Sequence, residues 1–167
     1  MDETNKKFSK IYDRCVEKIY RYVFLRVNTR EAAEDLTSET FLRGWEAYRN
    51  AGENIENPQA FLYKIAKNLI TDHYRKSGKT QFVSIDAGKI QLTDLKVDLE
   101  RQAMLASDME GVRKAMAGMN EDYQNAIIWR HLEDMSIKEV ANLLDRTEEA
   151  TRVLLHRAMN DLKTRLA

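Results

Sequence analysis

Apolar residues recur every three or four positions through the first 48 residues, and this spacing predicts two α-helices. The first helix is expected over about residues 5–27. The second is expected to start at Asn28, a possible cap with Glu31 three residues on, and to end near residue 48. Residues 50–58 are rich in Asn and Gly, which indicates a loop.

A third helix is predicted from Asn57-Pro58 to about Lys76. Asn is a favoured cap, and Pro is tolerated at the first helical position. The apolar face expected to be buried consists of Phe61, Leu62, Ile65, Ala66, Leu69 and Ile70. The opposite, polar face consists of Lys64, Lys67, Asn68, Thr71, Asp72 and Arg75.

The last third of the chain predicts two more helices that are joined by a tight turn. Ser136 and Glu139 have the spacing of a capping box, and Thr147 can cap the longer helix that follows. One face of the longer helix is apolar or small, namely Thr151, Leu155, Ala158 and Leu162. Its other face carries Arg152, His156 and Lys163. A short capped helix, a break at Asp145-Arg146 and a longer helix form a helix-turn-helix, whose second helix fits the DNA major groove.

Upstream of this motif, a stripe of large apolar side chains predicts a packed helix, and Asn120 predicts the start of another. The stripe consists of Leu105, Met109, Val112, Met116 and Met119. With one Pro and six Gly in 167 residues, the composition favours an all-α protein. We therefore expect two small helical domains, residues 1–77 and 98–167. Residues 78–97, which lack a helical series, are expected to be a flexible linker.

Charge and candidate chemistry narrow the function. The net charge is zero, and residues 98–167 hold 10 Lys and Arg against 13 Asp and Glu, or −3. Duplex binding gains affinity from neutralised phosphates, so the chain should bind DNA poorly without a larger partner. No apolar run is long enough to span a membrane, and residues 1–10 show no signal region, so we expect a cytoplasmic protein without membrane insertion.

The scattered histidines and the lone cysteine do not form a site. His73, His131 and His156 lack partners at metal-ligand spacing, and Cys15 falls within a helical apolar series. No nucleophile lies at a suitable spacing from a base. We expect no metal, no cofactor, no catalytic residue and no enzymatic activity. Cys15, Trp45 and Trp129 are expected to lie in the core.

Three segments resemble parts of one protein family. Residues 35–43 (DLTSETFLR) resemble the polymerase-binding signature of sigma-70-type initiation factors. Residues 58–76 (PQAFLYKIAKNLITDHYRK) resemble their promoter −10 segment, and residues 119–166 resemble their −35-reading domain, including the Arg157-Ala158 pair. Their order and spacing resemble the extracytoplasmic-function (ECF) subfamily.

The resemblance implies a role for each domain. Residues 1–77 would be sigma region 2 and residues 98–167 sigma region 4. The residues expected to bind core RNA polymerase are Asp35, Leu36, Glu39 and Arg43. Those expected at single-stranded −10 DNA are Asn54, Lys64, Lys67, Asn68, Thr71 and Arg75. Those expected at duplex −35 DNA are Thr147, Glu148, Arg152, His156 and Arg157. An anti-sigma factor is a further expected partner.

The residues also allow other interpretations. Asp35, Glu39 and Arg43 could form an exposed ladder of ion pairs within one helix. The polar face of the third helix could simply be solvated, and Arg157 could bind phosphate or pair with acids of its own domain. Compared with the family pattern, Val153-Leu154 replace a Ser-Arg pair, which predicts the loss of two DNA-facing polar residues. The alternative functions are a stand-alone helix-turn-helix regulator and a sigma-like interaction protein that does not read promoters.

Overall fold

The computed structural model describes residues 3–51, 54–77 and 111–166. The chain divides into two units, Met1–Gln81 and Phe82–Ala167, and each is described by itself. Within the described ranges, every regular element is helical, which confirms the all-α fold class. The expected linker, residues 78–97, lies outside the described residues, as do Leu105 and Met109 of the predicted stripe.

The first unit contains three mutually packed helices, α1 (Glu3–Arg26), α2 (Arg30–Ala51) and α3 (Pro58–Ser77). Their shared core includes Ile11, Cys15, Ile19, Val23, Phe41, Leu62, Tyr63, Ala66 and Ile70. Gly44 of α2 allows α3 to approach closely, because a Cβ at that position would lie 2.6 Å from Leu62 Cδ2. Phe61 and Ile65, predicted to be buried, are only half-buried.

The caps of α2 and α3 are local, and one of the two is as predicted. Asn57 Oδ1 accepts a hydrogen bond from the backbone amide of Ala60 (3.1 Å), so Asn57 caps α3. The predicted cap at Asn28 is wrong. The α2 cap is Thr29, whose Oγ1 accepts from the amide of Ala32 at 3.0 Å. The cap thus lies one residue later than predicted, a common error at helix ends.

Aromatic side chains join α1 to α3. The rings of Tyr22 and Tyr63 meet edge to face with centroids 5.5 Å apart. The Tyr74 hydroxyl donates a hydrogen bond to the carbonyl oxygen of Arg26, which joins the end of α3 to the end of α1.

Cys15 is fully buried and burial raises the pKa of its thiol, so it is a structural residue, as predicted.

The described part of the second unit has helical residues at 111–116, then α4 (Glu121–Ile127), α5 (Ile137–Leu144) and α6 (Glu148–Leu166). The predicted cap at Asn120 is confirmed, because its side chain accepts from the amides of Asp122 and Tyr123. A π-helical turn, Ile128–Leu132, directly follows α4, and no pattern in the sequence predicts it. It carries Trp129, which is fully buried, as predicted.

The helix-turn-helix consists of α5 and α6. Both bonds of the predicted capping box are present: the Glu139 amide donates to Ser136 Oγ (3.1 Å), and the Ser136 amide donates to Glu139 Oε1 (2.9 Å). Asp145 ends α5 in the left-handed conformation, with φ of 57°. Thr147 Oγ1 then accepts from the Ala150 amide at 3.0 Å and caps α6. Predicted local hydrogen bonds therefore fix where both helices begin.

A longer-range ion pair holds the turn against the rest of the unit. Arg146 Nη2 lies 2.8 Å from Asp122 Oδ2 in the first turn of α4. The core face of α6 is buried as predicted at Thr151, Leu155, Ala158 and Leu162. Of the predicted Met stripe, Met116 and Met119 are buried.

Candidate functional site

The first candidate surface, called the docking stripe, comprises Asp35, Leu36, Glu39 and Arg43 on α2. The spacing i, i+4, i+8 places its three charged residues along one side of the helix. Glu39 Oε2 and Arg43 Nε form an ion pair at 2.9 Å with side chains 41% and 56% exposed. Asp35 is exposed, and among the described residues it has no ion-pair partner. Of the predicted ladder of ion pairs, only the pair between Glu39 and Arg43 is therefore present. The stripe as a whole faces outward.

Two large apolar residues of α2, Leu42 and Trp45, are partly exposed, which the sequence did not predict. Leu42 is 52% exposed on the same helix. Trp45, expected in the core, is only half-buried. Its ring contacts Phe8 with centroids 5.4 Å apart, and the Arg49 guanidinium lies 5.6 Å above it. Trp45 thus packs against α1 through Phe8 without being enclosed by it.

The second candidate surface, called the cationic face, comprises Lys64, Lys67, Asn68, Thr71 and Arg75 on α3. The buried residues of α3 lie on the opposite side, so these five side chains point away from the core. Asn68 and Arg75 are exposed, whereas the other three are half-buried. Arg75 Nη1 lies 3.5 Å from Asp72 Oδ1, an exposed and therefore weak ion pair.

Two neighbours of the cationic face differ in character. Asn54, in the segment before α3, is exposed, but residues 52–53 beside it lie outside the described residues. His73 is half-buried, and burial lowers its pKa from the usual histidine value, which favours the neutral form of the ring. The positive charge near this face therefore comes from Lys and Arg side chains.

The third candidate surface, called the recognition face, lies on α6 and includes Glu148, Arg152, His156 and Arg157, all exposed. Arg152 Nη2 lies 3.7 Å from Glu148 Oε1, with side chains 59% and 49% exposed. Thr147 lies at the start of this face, where its hydroxyl already serves as the cap. The Arg152 guanidinium, which is expected to reach DNA, is thus already partly paired with the Glu148 carboxylate.

The remaining members of the recognition face are open to a partner. His156 Nε2 lies 3.4 Å from Asn160 Nδ2, a contact within the helix. Arg157 has no ion-pair partner in the part of the chain that the structure describes. Its two predicted uses, phosphate binding and pairing with acids of its own domain, both stay predictions.

One prediction about α6 is wrong. The sequence predicts that Val153 and Leu154 both replace DNA-facing polar residues, but Leu154 is only 7% exposed and belongs to the core. Val153 is 50% exposed. Leu154 lies three positions after Thr151 and four before Ala158, which places it beside the buried stripe. Only one apolar side chain therefore replaces a polar one on the outer surface.

Residues 3–51, 54–77 and 111–166 hold neither a candidate metal centre nor a candidate membrane span. No three His, Cys, Asp or Glu side chains in these ranges are grouped as metal ligands would be. No helix in them combines the length and the apolar character needed to cross a bilayer.

Both halves of the chain match known protein families. The family model described as Sigma-70 region 2 matches residues 11–80, and the one described as Sigma-70, region 4 matches residues 109–162. The ECF RNA polymerase sigma factor BldN of Streptomyces coelicolor is 31% identical over 159 residues, which cover 93% of this chain but only 58% of that protein. The RNA polymerase sigma factor YlaC of Bacillus subtilis is 27% identical, covering 92% of this chain and 88% of that protein.

A solved structure has the same fold. The sigma factor RpoE of Bartonella quintana, in complex with the anti-sigma factor NepR, aligns with a TM-score of 0.73 at 20% identity, covering 96% of this chain and 97% of that one. The helical fold, the two region matches in order and the sigma factor relatives agree with the motifs at residues 35–43, 58–76 and 119–166. The chain belongs to the ECF sigma factors of the sigma-70 family.

Proposed function

We propose that this chain binds core RNA polymerase, recognises −35 and −10 promoter elements and promotes strand opening. The main observation behind the proposal is the docking stripe. This row of charged residues lies within the region 2 match, faces outward and does not pack into the core of its own domain. A stand-alone helix-turn-helix regulator would leave the polymerase-binding motif at residues 35–43 unexplained.

The docking stripe suits a partner surface of complementary charge. Asp35 and Glu39 are acids about one helical turn apart, with Leu36 half-buried beside them. Opposite charges across an interface increase the association rate and fix the register of the two surfaces. Residues 1–77 thereby act as the domain that attaches the chain to polymerase.

The cationic face then captures the opened −10 strand. Lys64, Lys67 and Arg75 can follow successive phosphates, whereas the Asn68 amide can both donate to and accept from a base edge. Asn54 lies in the segment that would bound a pocket for an unstacked base. Unstacking costs a few kcal/mol per base, so cations and a shaped wall that bind only the open strand favour opening.

The recognition face reads −35 duplex with little electrostatic affinity of its own. α6 contains four Lys and Arg residues and three Asp and Glu residues, so its net charge is small. Arg152 is already paired with Glu148. Few phosphates are neutralised by such a surface, so polymerase must supply most of the attachment. Residues 98–167 select the site once the complex has formed, and no covalent step is involved.

An anti-sigma factor is the proposed regulator, in the cytoplasm where polymerase works. It would cover the polymerase-binding and promoter-binding faces and keep the chain inactive. Overexpressing the chain should titrate this inhibitor and switch on its target genes without the natural stimulus. Unchanged target transcription, together with full activity in vitro, would contradict this form of control.

Run-off transcription tests the proposed function. Core polymerase, this chain and genomic fragments should yield discrete transcripts that are absent when the chain is omitted. The matched control is the chain carrying Asp35→Lys and Glu39→Lys, which should yield none. Transcripts of equal yield from this variant, or none from the unaltered chain, would contradict the proposal.

A further inference from the structure

Val153 stands out on the recognition helix. It is 50% exposed, and its neighbours on the outer surface of α6 are Glu149, Arg152, His156 and Arg157, all exposed and all charged or polar. At 100° per residue, Val153 lies about 200° from Thr151 and from Leu155, which are buried. A valine therefore occupies the middle of the surface that points directly away from the core.

Nothing within the domain accounts for a valine at this position. Half of its side chain remains in water, so it adds little to the core. As a β-branched residue it is also a poorer helix former than Ala, Lys or Arg. Single exposed apolar residues are common on protein surfaces, but this one lies in the second turn of the helix expected to enter the major groove.

The major groove offers one apolar feature that a valine can recognise, the C5-methyl group of thymine. Valine has no donor or acceptor, so it cannot read the hydrogen-bonding edges of guanine, adenine or cytosine. Arg152 precedes Val153, and His156 lies one turn further on, so polar groups that can reach phosphates or base edges lie on either side.

We propose that Val153 is a specificity-determining residue that packs against the methyl group of a thymine in the −35 duplex. The inference rests on the proposed function and extends it. The family pattern has a polar residue at this position. Its replacement by Val153 then changes which base is preferred and does not merely remove a contact. A −35 element selected by this chain should contain a thymine, on either strand, under the second turn of α6.

Deoxyuridine tests this contact directly, because it pairs like thymidine and lacks only the methyl group. The −35 element is first obtained by selecting duplexes with the holoenzyme formed from core polymerase and the full chain. Each thymine is then replaced in turn, and holoenzyme affinity is measured by competition. One replacement should weaken binding about fourfold, the fold-change that corresponds to about 0.8 kcal/mol for one buried methyl group.

Two variants assign the methyl contact to its side chain. Val153→Ala keeps the helix and should reduce the effect of that one replacement to less than about twofold, because most of the apolar contact is removed. Leu166→Ala is the matched control, since Leu166 is also an exposed apolar residue of α6 (54%) but lies at its far end. It should keep the full effect of the replacement. Circular dichroism should show unchanged helix content for both variants.

Three results would overturn the inference while leaving the proposed function intact. They are a selected −35 element without thymine, no loss of affinity on replacing any thymine, or an undiminished loss in Val153→Ala. A holoenzyme that binds promoters without any dependence on the −35 sequence would instead overturn the proposed role of region 4.

Discussion

Reversing the charge of Asp35 and Glu39 should abolish polymerase binding while leaving the fold intact. The structural cost of Asp35→Lys with Glu39→Lys can be worked out from the contacts. The ion pair at stake, Glu39 with Arg43, is exposed and lies within one helix, so it contributes about 0.3–0.5 kcal/mol. The Glu39→Lys substitution also places a second cation beside Arg43, and this repulsion costs a similar amount. The total cost is about 1 kcal/mol, or a fall of about 4–8 °C in melting temperature for a domain of this size.

The expected cost for binding is much larger. Two acids that face a complementary surface become two cations, and like charges across an interface cost several kcal/mol. A loss of about 3 kcal/mol corresponds to a complex that is weaker by more than about 100-fold. Fluorescence anisotropy of the labelled chain, titrated with core polymerase at fixed salt, measures this difference, and a thermal melt measures the stability.

A control on another helix separates local contact from net charge. Glu17 is an exposed acid on α1, and Glu17→Lys should change polymerase affinity by less than about threefold, because it lies outside the docking stripe. If the double variant melts far below the expected range, Asp35→Asn removes one charge without creating repulsion and should still weaken binding by about tenfold. Affinity of the double variant close to that of the unaltered chain would refute the docking stripe.

Three further outcomes follow from the same structure. Lys67→Ala with Asn68→Ala should spare polymerase binding in a pull-down and slow open-complex formation, as followed by permanganate footprinting; an equal loss in both assays would mean that the two surfaces of the first unit are not separate. Ser136→Ala removes the acceptor for the Glu139 amide and should lower the free energy of unfolding of the second unit by about 1 kcal/mol in a urea titration, and an unchanged midpoint would deny the capping box any stabilising role. Burial lowers the pKa of His73, so the unfolded chain takes up the proton first as pH falls; the first unit should lose stability below about pH 6.5, and the loss should be smaller in His73→Gln, as measured by melts between about pH 5 and 8.

Features that depend on a few adjacent residues could be predicted from the sequence. Asn57, Ser136 and Thr147 cap their helices through hydrogen bonds that span three residues. The core face of α6 follows from helical spacing, because residues three or four positions apart share one side. The order of the helices and the helix-turn-helix follow from these local signals.

The wrong or missing predictions concern features that depend on contacts between helices and not on a local sequence pattern. Leu154 is drawn into the core because the buried stripe of α6 is wider than its four central residues. Trp45 is only half-buried, since it packs against α1 through Phe8 without being enclosed by it. The ion pair between Arg146 and Asp122 joins residues 24 positions apart, beyond any local pattern. The π-helical turn has no established sequence signature at all.

The partners of charged residues are only partly predictable from the sequence. Spacing allows a ladder of ion pairs along Asp35, Glu39 and Arg43, but only the structure shows that Glu39 pairs with Arg43 and that Asp35 remains exposed. Likewise, the sequence names Arg152 and Glu148 as candidates for the same surface, but only the structure shows that they pair. The sequence could identify which charged residues lie on each surface, but it could not show which of them already have an ion-pair partner.

Promoter binding with and without core polymerase tests the central claim most directly. A labelled duplex that carries both elements is titrated at physiological salt with the chain alone and with the chain bound to polymerase. Because residues 98–167 carry a net charge of −3, the free chain should bind weakly and without sequence preference, whereas the complex should bind tightly and depend on both elements. Tight, sequence-specific binding by the free chain as a dimer on a palindromic site would contradict the claim and identify a stand-alone regulator.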